Sequence, residues 1–65
     1  MTRKDYVKVA KIVAAARVRY NAEAVPQYGD IVNYFEMELA SMFAADNPQF
    51  DRERFAAACA EKAQS

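Results

Sequence analysis

The stretch from Pro26 to Phe43 constrains the fold more than any other part of the chain. Its large apolar side chains recur at steps of four, three, four and three residues, which places them on one face of a helix. The pattern predicts a helix over residues 26–45 that forms the central wall of the core. The stripe consists of Tyr28, Val32, Phe35, Leu39 and Met42, and is widened by Ile31 and Phe43.

The start of this helix admits two interpretations. Pro26 suits a first helical turn and disfavours helical geometry at Val25. Alternatively, Asp30 is the N-cap and Gly29 precedes the helix. The apolar phase extends back to Tyr28, which favours the earlier start and leaves Gly29 inside the helix, at a cost of about 1 kcal/mol relative to alanine.

The first segment predicts an amphipathic helix over residues 3–20. Thr2 and Asp5 have the spacing of a capping box, which begins a helix. On a helical wheel the apolar residues gather on one side and most of the basic residues nearly opposite. The expected core side consists of Val9, Val13, Ala16 and Tyr20, flanked by Tyr6 and Ile12.

A third helix is predicted over residues 52–63. Asp51 is a favourable N-cap, and Phe50 and Phe55 have the spacing of a hydrophobic staple. No stretch alternates in the manner of a strand. We therefore expect one all-α domain over residues 1–65, a small three-helix fold with a central apolar second helix on which the other two pack.

The size of the chain favours self-association, and its composition argues against a membrane-spanning or secreted protein. A chain of 65 residues buries only about 60% of the surface that its unfolded form exposes, so its stability alone is marginal. We expect a homodimer, or contact with another protein.

Charged residues interrupt every apolar run, which argues against a membrane partner. The absence of a secretory signal and the single cysteine are typical of a cytoplasmic protein.

Charge is divided unevenly along a chain whose formal net charge is zero. Residues 1–20 carry six positive side chains against one negative, and residues 21–65 carry three positive against eight negative. Such a division can orient a charged partner or a second copy of the chain.

The basic residues of the first helix form a candidate binding face. Cations along one side of a helix can follow a phosphate backbone or contact an acidic partner, although the same pattern also suits a solvated surface. No arginine-rich third helix is present to act as a recognition helix, so nucleic acid is the less favoured partner. The face consists of Lys4, Lys8, Lys11 and Arg19.

Helix two supplies a candidate protein interface. Its apolar residues spread around more of the helix than one thin partner helix would cover, and exposed apolar patches tend to mark contacts. Val7 and Val18 of helix one also lie away from the expected core. The candidate interface residues are Tyr28, Ile31, Tyr34 and Met37.

No residue pattern indicates catalysis. Cys59 has no histidine with which to pair, because the chain contains none, so a buried structural thiol is expected. The carboxylates have neither histidine companions nor the spacing of a calcium or zinc site, and solvated surface is the better account of them. We expect no catalytic residues, no cofactor and no metal. The carboxylates considered are Glu36, Glu38, Asp46 and Asp51.

Both ends of the chain have a distinctive form. It opens with Met1-Thr2-Arg3-Lys4-Asp5-Tyr6, and a later segment reads Asp46-Asn47-Pro48-Gln49-Phe50-Asp51-Arg52-Glu53-Arg54-Phe55 before Ala58-Cys59. These segments resemble small uncharacterised proteins of tailed bacteriophages, which begin Thr-Arg-Lys-Asp-Tyr and end with Asn-Pro-x-Phe-Asp-Arg-x-Arg-Phe and then Ala-Cys. The resemblance implies a phage origin and a location in the host cytoplasm, and supplies neither an activity nor site residues.

Taken together, these features predict a non-enzymatic binding or regulatory protein. It would contact a second copy, or a host or phage protein, through helical surface. The alternative is a nucleic-acid-binding accessory protein that uses the basic side of helix one. An enzyme is not expected, because candidates for a general acid, a base and a nucleophile do not converge.

Overall fold

The computed structural model describes residues 2–61 and contains three helices. They are α1 (Arg3–Arg19), α2 (Pro26–Asp46) and α3 (Arg52–Ala60), and no strand occurs among the described residues. This confirms the all-α, three-helix prediction. The bounds of α1 and α2 agree with prediction to within one residue. The third helix ends at Ala60, before the predicted end, and residues 62–63 of that prediction lie outside the described part of the chain.

The helix starts follow local capping chemistry. The Asp5 carboxylate accepts a hydrogen bond from the backbone N–H of Thr2 at 2.9 Å, in the predicted capping box, and this bond holds the pKa of Asp5 below its ordinary value. The Asp51 carboxylate accepts from the N–H of Arg54 at 3.0 Å, as predicted for an N-cap. Helix α2 begins at Pro26, which confirms the earlier of the two predicted starts.

The connection between α1 and α2 depends on one residue in the turn and one in the first turn of α2. Asn21 has a φ of 52°, the left-handed geometry that asparagine tolerates better than most residues. Ala22, the next residue, is buried. A Cβ placed on Gly29 would lie 2.8 Å from the carbonyl oxygen of Ala22, so only glycine lets α2 pass this close to the turn.

The core is built on an aromatic cluster, which we define as Tyr6, Phe43, Phe50 and Phe55. The Phe43 side chain is 1% exposed, and its ring centroid lies 4.8 Å from that of Tyr6 and 5.5 Å from those of Phe50 and Phe55. Phe50 and Phe55 also lie 5.5 Å apart, which confirms the predicted staple. Aromatic pairs at such distances contribute about 0.5–1.5 kcal/mol each beyond their burial, so the cluster joins all three helices.

The predicted core stripe of α2 is wrong in its orientation. The buried line of the helix runs through Ala40 and Phe43, with Val32 and Leu39 packed at its edge. This line is rotated by roughly 70° from the predicted one, at 3.6 residues per turn, because Phe43 must enter the aromatic cluster. Three of the five predicted core residues are therefore exposed: Tyr28, Phe35 and Met42.

Helix α2 is also not the element on which both neighbours chiefly pack. The most extensive helix contact is between α1 and α3. Ala10 and Ala14 are buried and line the clefts that α1 shares with α3, and their small side chains let the two backbones approach. Phe55 and Cys59 are the buried residues of α3. The thin apolar face of α3 therefore packs largely on α1, and no other part of residues 2–61 covers the remaining flank of α2.

Gly29→Ala tests the close approach of α2 to the turn. In an ordinary helix interior, alanine in place of glycine raises stability by about 1 kcal/mol. Here the added Cβ would meet backbone at 2.8 Å, so we expect the free energy of unfolding to fall by about 1–3 kcal/mol. Urea denaturation at low protein concentration measures it.

The matched control is Ser41→Ala, at an exposed position of the same helix. It should leave stability unchanged or raise it by about 0.5 kcal/mol. A Gly29→Ala protein that is stabilised as much as this control would show that the turn and α2 do not pack this closely.

Candidate interaction surface

A set of large apolar side chains lies exposed on α1 and α2. Its members are between 46% and 69% exposed, whereas a domain core would bury such residues. Four of them fall on one line of α2, since residues 28, 31, 35 and 42 lie within about 60° of one another on the helix. We name this set the apolar face, and it consists of Ile12, Tyr20, Tyr28, Ile31, Phe35 and Met42.

The apolar face continues from one helix to the other. The ring centroids of Tyr20 and Tyr28 lie 6.1 Å apart. Both tyrosines line an open pocket of about 240 Å³ with Ile31 and Val32. Ile12 lies about two helical turns before Tyr20 and about 80° from it around α1. The predictions that Tyr20 belongs to the core side of α1 and that Ile12 flanks it are wrong, because α2 turns its own apolar flank outward beside them.

The structure places the four predicted interface residues on different sides of α2. All four are exposed, and Tyr28 and Ile31 belong to the apolar face. The Tyr34 ring contacts the Phe35 ring at a centroid distance of 5.9 Å, so it borders the face. Met37 lies on the far side of the helix from Phe35, about 160° away. The spacing of Phe35 predicts a core residue, so the sequence pattern does not reveal its exposure on this face.

The predicted basic face is a continuous exposed line on α1. Lys4, Lys8, Lys11 and Arg19 are all exposed, and they fall within about 80° of one another around the helix. The Arg19 guanidinium carbon lies 5.8 Å from the centroid of the Tyr20 ring, which brings one cation beside the apolar face. The line spans roughly 22 Å, at 1.5 Å per residue.

A partly buried ion pair joins α1 to α2. The Arg17 guanidinium donates to a Glu36 carboxylate oxygen at 2.6 Å and to the amide oxygen of Asn33 at 2.7 Å. Both charged side chains are about one-fifth exposed, so solvent screens the pair less than it would a surface pair. The expectation that Glu36 is solvated surface is therefore wrong. The spacing of residues within α2 cannot reveal this ion pair, because the partner of Glu36 lies on α1.

Cys59 lies beside this pair, on α3. Its side chain is 0% exposed, which confirms the predicted buried thiol. Burial raises the pKa of Cys59 to about 12, and the negative charge of Glu36 adds to the rise. A thiol held protonated in this way is a poor nucleophile, so its contribution is to packing.

The remaining features assign no further chemistry. Within residues 2–61, no cluster of side chains is suited to hold a metal ion, and no helix there combines the length and apolarity needed to cross a bilayer. Glu38, Asp46 and Asp51 are exposed, as predicted. A cleft of about 280 Å³ between α1 and the start of α3 has Tyr6, Phe50 and Phe55 in its walls, with Arg3 and Arg54 also lining it.

Comparison with known proteins identifies no relative of this chain. No protein-family model matches the chain, and neither a curated protein nor a solved structure is significantly similar to it. What the surfaces do must therefore be argued from their own chemistry.

Two predictions follow from the burial of Cys59. We expect the native thiol to react with a disulfide reagent only as fast as the protein unfolds. We also expect stability to fall as pH rises from about 9 toward 12, because in that range the folded state keeps a proton that the unfolded state releases. Urea denaturation across pH measures the decline.

Cys59→Ala is the control for the alkaline decline. It should be less stable at neutral pH because it leaves a small cavity, yet it should lose less of its stability between pH 8 and 11 than the parent protein. Rapid reaction of the thiol under native conditions would contradict its burial.

Proposed function

We propose that this protein is a non-enzymatic helical binding or regulatory protein that acts through protein–protein contacts, and that it forms a homodimer. The observation that carries the proposal is the apolar face. The resemblance of the two ends to phage proteins extends the proposal to a role in the host cytoplasm, where a host or phage protein could also be bound.

The size of the apolar face supports binding. A monomeric protein rarely exposes a contiguous apolar patch of more than a few hundred Å², and larger patches mark interaction sites. Six side chains of this kind on 65 residues are more than scattered surface apolarity accounts for. Tyrosine and phenylalanine also supply contact area at little cost in conformational entropy, and tyrosine is enriched among residues that dominate binding energy.

The organisation of the rest of the molecule supports a binding role over catalysis. The single thiol is buried and protonated, and the Arg17–Glu36 pair stabilises the contact of α1 with α2. The thiol and the most buried carboxylate are thus engaged in structure. The exposed surface consists of apolar side chains and charged residues, which are suited to recognise another surface.

Truncation of the apolar face tests the proposal. We expect the combined variant Ile31→Ala with Phe35→Ala to remain helical and to self-associate at least tenfold more weakly, since central anchors contribute more than about 1 kcal/mol each. Sedimentation equilibrium gives the dissociation constant, and circular dichroism checks the fold.

Val18→Ala is the matched control, because Val18 is an equally exposed apolar residue outside the apolar face. It should leave the dissociation constant unchanged. An association that is insensitive to the double truncation would show that the apolar face is not the binding surface.

The exposed line of cations on α1 favours a second candidate function, a nucleic-acid-binding accessory protein. Lys4, Lys8, Lys11 and Arg19 would contact phosphates without reading sequence. Neutralising phosphates releases counterions, so this binding would weaken steeply with salt.

Alanine substitution of Lys4, Lys8 and Lys11 tests this second function. Binding to a short duplex at low salt should fall sharply, and the slope of log affinity against log salt should become shallower by roughly one unit for each phosphate that is no longer neutralised. Arg52→Ala, which removes an exposed cation on α3, is the control and should change neither. If the triple variant retained full affinity for the duplex, the basic face would have no such role.

A further inference from the structure

We infer that the apolar face is covered by the same face of a second copy, with α1 of each copy packed on α2 of the other. The inference rests on the proposed function, since it requires a homodimer, and it adds the arrangement of the two copies and the charged residues that select it. Three properties of the chain support it: the charge of each helix, the register of α1 on α2 and the area of the face.

The two helices that carry the apolar face have opposite charge. Helix α1 contains six basic residues and one acidic residue, a formal charge of +5. Helix α2 contains four acidic residues and no basic residue, a formal charge of −4. Arg17 and Glu36 neutralise each other within one copy, which leaves +4 on α1 and −3 on α2. The apolar face therefore has a basic helix on one side, with Lys8 at its edge, and an acidic helix on the other, with Glu38 at its edge.

Two symmetric ways exist to lay this face on itself. A two-fold axis across the helices puts α1 on α1 and α2 on α2, which opposes like charges. A two-fold axis parallel to the helices puts α1 of each copy on α2 of the other, which opposes unlike charges on both sides of the interface. Complementary charge selects between docking arrangements of similar area, so the structure favours the second.

The register of the helices identifies the charges that meet. Tyr6 lies level with Phe43, and Tyr20 lies level with Tyr28, so Glu38 is level with a point between Ala10 and Lys11 of its own α1. An axis parallel to the helices preserves these levels. Glu38 therefore faces the outer edge of the second copy's α1 about one turn or less from Lys8.

Lys8 and Glu38 both border the apolar face and are exposed. Lys8 is one turn before Ile12 on the same edge of α1, and Glu38 lies about one turn from both Phe35 and Met42, at the edge of their line on α2. Lys11 is close in sequence, but it projects about 100° away from Ile12. The arrangement thus assigns the contact with Glu38 to Lys8 and not to Lys11.

The area of the face is sufficient for such a dimer. Each of its six side chains is about half exposed or more. An aromatic side chain carries about 150–250 Å², so roughly 100 Å² of each of the three aromatic residues, and somewhat less of each aliphatic one, is available for burial. Covering the face would bury about 1,000–1,200 Å² over both copies, which is at the lower end of the range for specific interfaces.

Charge exchange between these two positions tests the arrangement. We expect Glu38→Lys alone and Lys8→Glu alone each to raise the dimer dissociation constant about tenfold, because each creates two like-charge contacts in a symmetric dimer. The protein with both substitutions should return to within about threefold of the parent. Sedimentation equilibrium measures these constants, and added salt should weaken the parent dimer.

The control combines Glu38→Lys with Lys11→Glu. This variant has the same net charge as the restoring pair, but it should stay as weak as Glu38→Lys alone. Single variants as tight as the parent, a control that restores affinity equally well, or a parent dimer strengthened by salt would each overturn this arrangement while leaving a homodimer in place. A parent protein that stays monomeric at all concentrations would overturn both the arrangement and the proposed homodimer.

Discussion

The enclosure of Phe43 by three other aromatic rings is the constraint on which the rest of the structure depends. Its ring lies within 5.5 Å of three others that come from α1, from α3 and from the turn before α3. Because one side chain of α2 must point into this cluster, the rotation of α2 about its own axis is determined. The apolar line that contains Phe35 is then directed outward, whatever its own hydrophobicity.

The Arg17–Glu36 pair stabilises the same rotation of α2, two turns before Phe43. Glu36 and Phe43 lie within about 20° of each other on α2, so a salt bridge and an aromatic cluster fix one side of the helix at two points. Removing either charge would leave its partner partly buried and unpaired, which costs more than losing an exposed pair. Cys59 packs against this second point and completes the contact among three helices.

The parts of the fold that could be predicted from sequence are those determined locally. The capping box at Thr2, the N-cap at Asp51 and the proline at the start of α2 each act within one turn, and all three predictions were confirmed. The rotation of α2 could not be predicted in this way. Counting large apolar residues centred its buried side on Phe35, but the real core uses Ala10, Ala14 and Ala40, whose small side chains weigh little in any such count. The exposure of Phe35 and Met42 follows from this rotation, whereas the exposure of the basic face and of Ile31, Tyr34 and Met37 agrees with what their spacing predicts.

The uncovered flank of α2 follows from the small size of the domain. Helix α3 has nine residues and two buried side chains, and its contact with α1 leaves it too little surface to cover α2 as well. A longer third helix could have closed the core on both sides. Here the apolar residues of α2 instead remain exposed. They lie on an acidic helix, α2, next to a basic helix, α1. The chain is neutral as a whole, but its charge is divided between the two helices that border the uncovered flank. This division favours a partner with the opposite arrangement of charge, such as a second copy related by a two-fold axis parallel to the helices.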